Sequence, residues 1–287
     1  MATLQTLVDG RAFLEGPRWH NVNGAGALYV SDMHAHEVLR VSADGSVDVL
    51  ARLDNAPSGL GWLPDGSMLI VSMDDRKILR RGADGSLTEH ADLSGLASHA
   101  INDMFVDAAG RAFVSQFGSD MFGGEALRSA PLLRVDADGG VDEVSDPLQF
   151  ANGIVLTADG KTLVVAESAG RRLLAFSLAP DGTLSDQRVW ADLPDADFPD
   201  GICIDAEDAI WVSAPASSRF VRVRAGGEVT DVVETPGRHA IACALGGDDA
   251  RTLFCCTAPT LGLPDQSREL RAAKVETVAV SVAAQTA

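Results

Sequence analysis

Glu15, Asn102, Asn152 and Asp200 carry the side-chain oxygens most suited to joint chemistry, because they occupy matching points of similar segments. "QFANGIVLTADG" (149–160) and "FPDGICIDAED" (198–208) each place an amide or a carboxylate, followed by glycine, ahead of an apolar run, and Asn152 and Asp200 are 48 residues apart. Two carboxylates and two amides are a donor set for a hard divalent cation. Ca²⁺ takes roughly six to eight oxygens at about 2.3–2.6 Å, so four protein groups leave room for water and a substrate. Asn-Gly or Asp-Gly ahead of a strand is also ordinary turn chemistry. Glu15 has no such turn preference, and near a channel it is an unpaired charge unless a cation sits beside it.

These residues can meet only if distant segments are folded into register. Turn signals recur along the chain: "SADGS" (42–46), "LPDGS" (63–67), "GADGS" (82–86), "DAAGR" (107–111), "DADGG" (136–140), "TADGK" (157–161) and "APDGT" (179–183). Glycine supplies the positive φ of each turn, and Asp bonds its own backbone. Between them lie short β-branched or alternating runs such as "MLIVSM", "TLVVAE" and "AIWVSA", with no long amphipathic helical pattern. Aligned on their first strands, six units start at Glu15, Ser58, Asn102, Asn152, Asp200 and Ile241, with spacings of 43, 44, 50, 48 and 41 residues. That period is the length of a four-stranded propeller blade and predicts an all-β, six-bladed β-propeller over residues 1–287. Residues 1–11 are expected to pair beside strands near 270–282 and close the circle. A two-sheet sandwich accounts for short strands equally well but not for the period. In a propeller each first strand begins at one mouth of the central channel, so the six unit-start residues form a ring.

The formal charge of −18 over 287 residues repels nucleic acids and anionic lipid and suits a small-molecule substrate. No stretch of 18 apolar residues occurs and the N-terminus lacks a signal-peptide pattern, which gives a cytoplasmic expectation. Cys203, Cys243, Cys255 and Cys256 have no CxxC spacing and read as reduced core or strand residues. Oligomeric state is left open. His34 and His36 form an HxH pair that strand alternation would put on one face, a weaker metal candidate than the ring.

Four motifs, "LEGPRW" (14–19), "INDMFVDAAGRAFV" (101–114), "FANGIVLTADGKTLVVAES" (150–168) and "FPDGICIDAEDAIWVS" (198–213), together make the chain resemble the regucalcin (senescence marker protein)/gluconolactonase family over nearly its whole length. The resemblance implies one catalytic divalent cation held by Glu15, Asn152 and Asp200, with Asn102 on the metal directly or through water and substrate. Ca²⁺ leads, and Mg²⁺, Mn²⁺, Zn²⁺ or Fe²⁺ are compatible. The expected activity is lactone hydrolysis, with Asp200 as ligand and general base and Asn102 orienting the substrate. The alternatives are an organophosphate or aryl-ester hydrolase on the same site, or a calcium-binding propeller without turnover. Sugar-lactone members often carry arginine two positions before the Asn of the Asn-Asp pair; here that residue is Ala100, pointing to a less polar lactone. His99, Phe117, Met121, Phe122, Met33 and Met73 are the expected substrate contacts around the mouth.

Overall fold

A computed structural model of the protein describes residues 3–22, 24–120, 123–193, 198–261 and 263–285. Met121 and Phe122, two of the expected substrate contacts, lie outside the described residues. The Asp-Gly turns reverse the chain as expected: the Gly45 amide bonds the Ser42 carbonyl and Gly66 the Leu63 carbonyl at 2.9 Å each, both glycines with φ of +83°.

Among the described residues these reversals yield 24 strands in six four-stranded antiparallel sheets. The first strand in the chain, β1 (Gln5–Arg11), is set aside by the blades that follow it. Blade I is β2 (Leu14–Val22), β3 (Ala25–Asp32), β4 (Glu37–Val41) and β5 (Val47–Arg52), and blade II is β6 (Pro57–Trp62), β7 (Met68–Ser72), β8 (Lys77–Arg81) and β9 (Leu87–Asp92). Blade III is β10 (Ile101–Val106), β11 (Ala112–Gln116), β12 (Leu133–Val135) and β13 (Val141–Glu143), and blade IV is β14 (Ala151–Leu156), β15 (Thr162–Glu167), β16 (Arg172–Leu178) and β17 (Leu184–Asp192). Blade V is β18 (Ile202–Ile204), β19 (Ile210–Ala214), β20 (Arg219–Val223) and β21 (Val229–Glu234). Blade VI takes β22 (His239–Gly246), β23 (Thr252–Ala258) and β24 (Ala273–Ala279), and its outer strand is β1, paired to β24 with Gln5 opposite Thr277. The expected closure by the N-terminal segment is therefore present. It covers the edge of β24, which would otherwise offer unpaired backbone groups to another chain.

Strands β2, β6, β10, β14, β18 and β22 touch one another in sequence and β22 returns to β2, so the first strand of each blade lies innermost. Both faces of a blade are covered by its neighbours, which is why the middle strands are apolar at nearly every position. In β7, Met68 and Ile70 join the core between blades I and II, while Leu69 and Val71 join the one between II and III. The same alternation in β15 sends Leu163 and Val165 toward blade III and Val164 and Ala166 toward blade V. Six such clusters, one at each blade interface, form the core. Each buried Leu, Ile or Val contributes about 1.5–3 kcal/mol relative to exposure.

Two expectations are corrected. His34 and His36 are in a turn, so strand alternation does not apply: His34 is buried with its ring stacked on Phe13 at 4.8 Å, and His36 has φ of 58° with Nδ1 on the Asp54 carbonyl. A short helix, α1 (Pro264–Leu270), occupies the front of the segment read as strands, and the strand begins only at Ala273. No helix among the described residues is long and apolar enough to cross a membrane.

The innermost strands also carry a shared irregularity. Register slips between Glu15 and Arg18, Pro57 and Leu60, Ile101 and Met104, Ala151 and Ile154, and Ala240 and Ala242. Such a bulge bends the strand and re-aims side chains, and here it falls at the ring positions. The glycine after a ring residue serves close approach: a Cβ on Gly153 would stand 2.6 Å from the Ile202 amide nitrogen, and one on Gly201 2.6 Å from the Ala242 Cβ. Gly153→Ala should therefore force blades IV and V apart and cost about 2 kcal/mol, the scale of overpacking. Gly95, with nothing within 4 Å of its would-be Cβ, is the control; equal melting midpoints for Gly153→Ala and Gly95→Ala would refute the close-approach role.

Candidate metal centre at the channel mouth

Glu15 lies at the start of β2, Ser58 of β6, Asn102 of β10 and Asn152 of β14, Asp200 stands two residues before β18, and Ile241 is in β22. The folded ring joins several of them directly. Asn152 Nδ2 donates to Asp200 Oδ1 at 2.5 Å and to Ser168 Oγ at 3.5 Å. Ser58 Oγ donates to Asn102 Oδ1 at 3.2 Å, and Glu15 Oε2 accepts from the Gly16 amide at 3.2 Å. Blade VI supplies no side-chain oxygen at Ile241; its carbonyl instead accepts the Gly201 amide at 3.2 Å.

The supports of these residues come from other strands. Ser31 Oγ in β3 donates to the Ser58 carbonyl at 2.6 Å, tying blade I to blade II. Ser168 Oγ, just past β15, donates to the Pro199 carbonyl at 2.6 Å and so fixes the residue before Asp200. Asn152 is 6 % exposed, and with both its amide protons directed at Asp200 and Ser168 its Oδ1 is the atom left for another partner.

The electrostatics point the same way. Burial, followed by the charges of Asp200 and Asp103, raises the Glu15 carboxyl well above its ordinary range. Burial lifts the Asp200 carboxyl to about 7; the hydrogen bond from Asn152 opposes this and Asp103 adds to it. Among the described residues neither carboxylate has an ion-pair partner, and no cluster of three or more His, Cys, Asp or Glu side chains is arranged around a metal. A cation at this ring thus depends on amide as well as carboxylate oxygens. The donor set fits one: two half-buried carboxylates with no ion pair among the described residues, and an amide oriented with its oxygen free.

The expected substrate contacts divide. Phe117 stacks on Phe150 at 4.4 Å with rings 7° apart, and Phe150, two residues before Asn152 with φ of 61°, is a neighbour the sequence did not single out. Met33 is half-buried between the core clusters of blades VI–I and II–III. Met73, 5 % exposed, is packed inside the core between blades II and III. His99 lines a separate cavity of about 310 Å³ with Asp74, Arg76, Ser98 and Ala100, which no ring residue borders. A larger cavity, about 560 Å³, lies on the outer rim between blades III and IV, away from the ring. Asp103 and Arg18, joined at 2.6 Å, are ring neighbours that no repeat position marked.

Comparison with known proteins gives the same grouping. Residues 13–259 match the SMP-30/Gluconolactonase/LRE-like region. L-arabinolactonase of Azospirillum brasilense is 27 % identical over 265 residues, covering 91 % of this chain and 86 % of its own. A gluconolactonase structure from Xanthomonas campestris superposes with a TM-score of 0.77 at 25 % identity, covering 98 % of this chain and 90 % of its own. A regucalcin structure from Agrobacterium tumefaciens, described as calcium-binding, superposes with a TM-score of 0.80 at 23 % identity, over 100 % of this chain and 98 % of its own.

Without a cation, the folded protein retains a proton on Asp200 that the unfolded chain releases once pH exceeds its ordinary value of 3.8. Folding stability therefore falls as pH rises from about 3.8 to about 7. Chelator-treated protein should melt lower at pH 8 than at pH 6, and added Ca²⁺ should restore most of the loss. Melting curves at pH 8 that are identical with and without Ca²⁺ would contradict this.

Proposed function

Since the chain belongs to the SMP-30/Gluconolactonase/LRE-like family, we propose that it is a divalent-metal-dependent lactonase whose ring of Glu15, Asn102, Asn152 and Asp200 binds the cation and the lactone. The observation that carries this reading is the pair of half-buried carboxylates, Glu15 and Asp200, that have amide neighbours and, among the described residues, no ion-pair partner. The lactonase names of its relatives support the reaction class.

In this reading Glu15, Asp200 and the Asn152 Oδ1 hold the cation, Ca²⁺ by preference for all-oxygen ligation, with Mg²⁺, Mn²⁺, Zn²⁺ and Fe²⁺ compatible. When bound, the cation polarises the lactone carbonyl and offsets the negative charge that develops on its oxygen. Asp200, held at Oδ1 by Asn152, accepts the proton of the attacking water at its other oxygen. The C–O bond of the ring opens, and the same carboxyl returns its proton to the departing alkoxide. Asn102, whose Oδ1 is fixed by Ser58, turns its amide protons toward the substrate.

The lactone is less polar than a sugar lactone. The Ala100 side chain offers no hydrogen bond, and the connections at the ring end of the blades expose Leu96, Leu127, Phe198, Leu261 and Leu263. Beside Asn152, the Phe117–Phe150 stack adds an aromatic wall.

A panel of aliphatic and sugar lactones, followed by pH-stat with chelated and reconstituted enzyme, tests the reading. Acid release should require the cation, and Asp200→Asn should fold yet lose at least about 100-fold in kcat, the scale of general-base catalysis. Unchanged turnover in Asp200→Asn would remove the assigned base, and cation binding without acid release on any lactone would leave a binding protein.

A further inference from the structure

Arg18 lies on β2 of blade I, three residues beyond Glu15, and Asp103 lies on β10 of blade III, directly after Asn102. Their side chains meet although blade II stands between them. Arg18 Nη2 donates to Asp103 Oδ1 at 2.6 Å and to the Met104 carbonyl at 2.8 Å, and Nη1 donates to the Pro17 carbonyl at 2.9 Å. The aspartate side chain is 7 % exposed, so its charge is held inside the ring.

The sequence of β6 makes the bridge feasible. In Ser58-Gly59-Leu60-Gly61, a Cβ on Gly59 would stand 2.6 Å from Asp103 Oδ1 and 2.5 Å from the Met104 amide nitrogen, and one on Gly61 would stand 2.3 Å from Val106 Cγ2. The intervening strand is thus bare where the aspartate carboxylate that accepts Arg18 rests against it. Asp103 is also held by the Met104 amide at 2.8 Å, while its own backbone amide donates to Ser115 Oγ at 3.0 Å.

The pair adds to the charges of the ring. Asp103 is a third carboxylate whose field reaches both Glu15 and Asp200, and Arg18 is the positive group acting on Glu15. We propose that Arg18 and Asp103 are a positioning and charge-setting pair for the cation centre. Asp103 strengthens attraction for a divalent ion, and Arg18 pins that carboxylate next to Asn102 while cancelling part of its charge. The affinity of the centre is then set by the balance of the two, beyond the ligands themselves. This rests on the reading that the ring binds a cation.

Calorimetric titration of the chelator-stripped full chain with CaCl₂ at pH 7.5 separates charge from structure. For one unit charge several ångströms away at an effective dielectric constant of about 20, Asp103→Asn should weaken binding about tenfold and Arg18→Gln should tighten it several-fold. The double variant should return to within about threefold of the natural chain, because the two charges offset each other. A purely structural role would weaken binding in both single variants. Where Arg18→Gln does not fold, Arg18→Lys keeps the charge and should bind within about threefold of the natural chain; a tenfold loss overturns the proposal. A natural chain that binds while both single variants move in the same direction, or neither moves, overturns the proposal alone. A natural chain that binds no divalent cation removes the metal reading and the proposal with it.

Discussion

Neighbouring blades touch backbone to backbone at their innermost strands, and the geometry of the ring depends on that contact. At Gly153 and Gly201 there is no space for a side chain between one blade and the next, and hydrogen bonds cross the gap from Gly153 to the Asp200 carbonyl and from Gly201 to the Ile241 carbonyl. Six blades held this tightly bring residues from position 15 to position 241 around one opening. In five of the six innermost strands, all but β18, a bulge at the ring position breaks the strand's regular alternation. The outer closure by β1 preserves the arrangement, since a blade lacking its fourth strand would leave an unpaired edge.

From that closeness follows the electrostatic character of the opening. Carboxylates far apart in sequence are forced into one partly dehydrated space, where, after burial itself, Asp200 and Asp103 raise the proton affinity of Glu15 and Asp103 raises that of Asp200. Serine hydroxyls and asparagine amides answer part of the cost by fixing which oxygens face which way: Ser31, Ser58 and Ser168 each bond a carbonyl or an amide from the next blade. What they leave uncompensated is net negative charge, which favours a cation at the opening.

Much of this was legible in the sequence, for a physical reason. Asp-Gly turns and four-strand units are local, and their repetition at 41 to 50 residues registers the ring residues without any contact information. Closure by the N-terminal segment was legible because alternating polarity near residues 270–282 suggested strands, and a ring needs its last blade completed by the other chain end. Less was legible where the outcome depends on packing. The glycines after Asn152 and Asp200 read as turn formers, yet they serve close approach between blades. His34 and His36 had the spacing of a strand pair but are carried by a turn, and Met73 looks like a pocket residue in sequence and is core in the fold. The Arg18–Asp103 bridge joins residues 85 apart through a gap left by two glycines, and no periodicity announces it.

Anomalous diffraction from crystals of the protein soaked in MnCl₂ tests the central claim most directly, since it locates an ion without reference to turnover. One peak flanked by the carboxylates of Glu15 and Asp200 and by the Asn152 amide oxygen is the expected result. Manganese peaks only on the acidic outer surface, with those three side chains hydrogen-bonded among themselves, would contradict it.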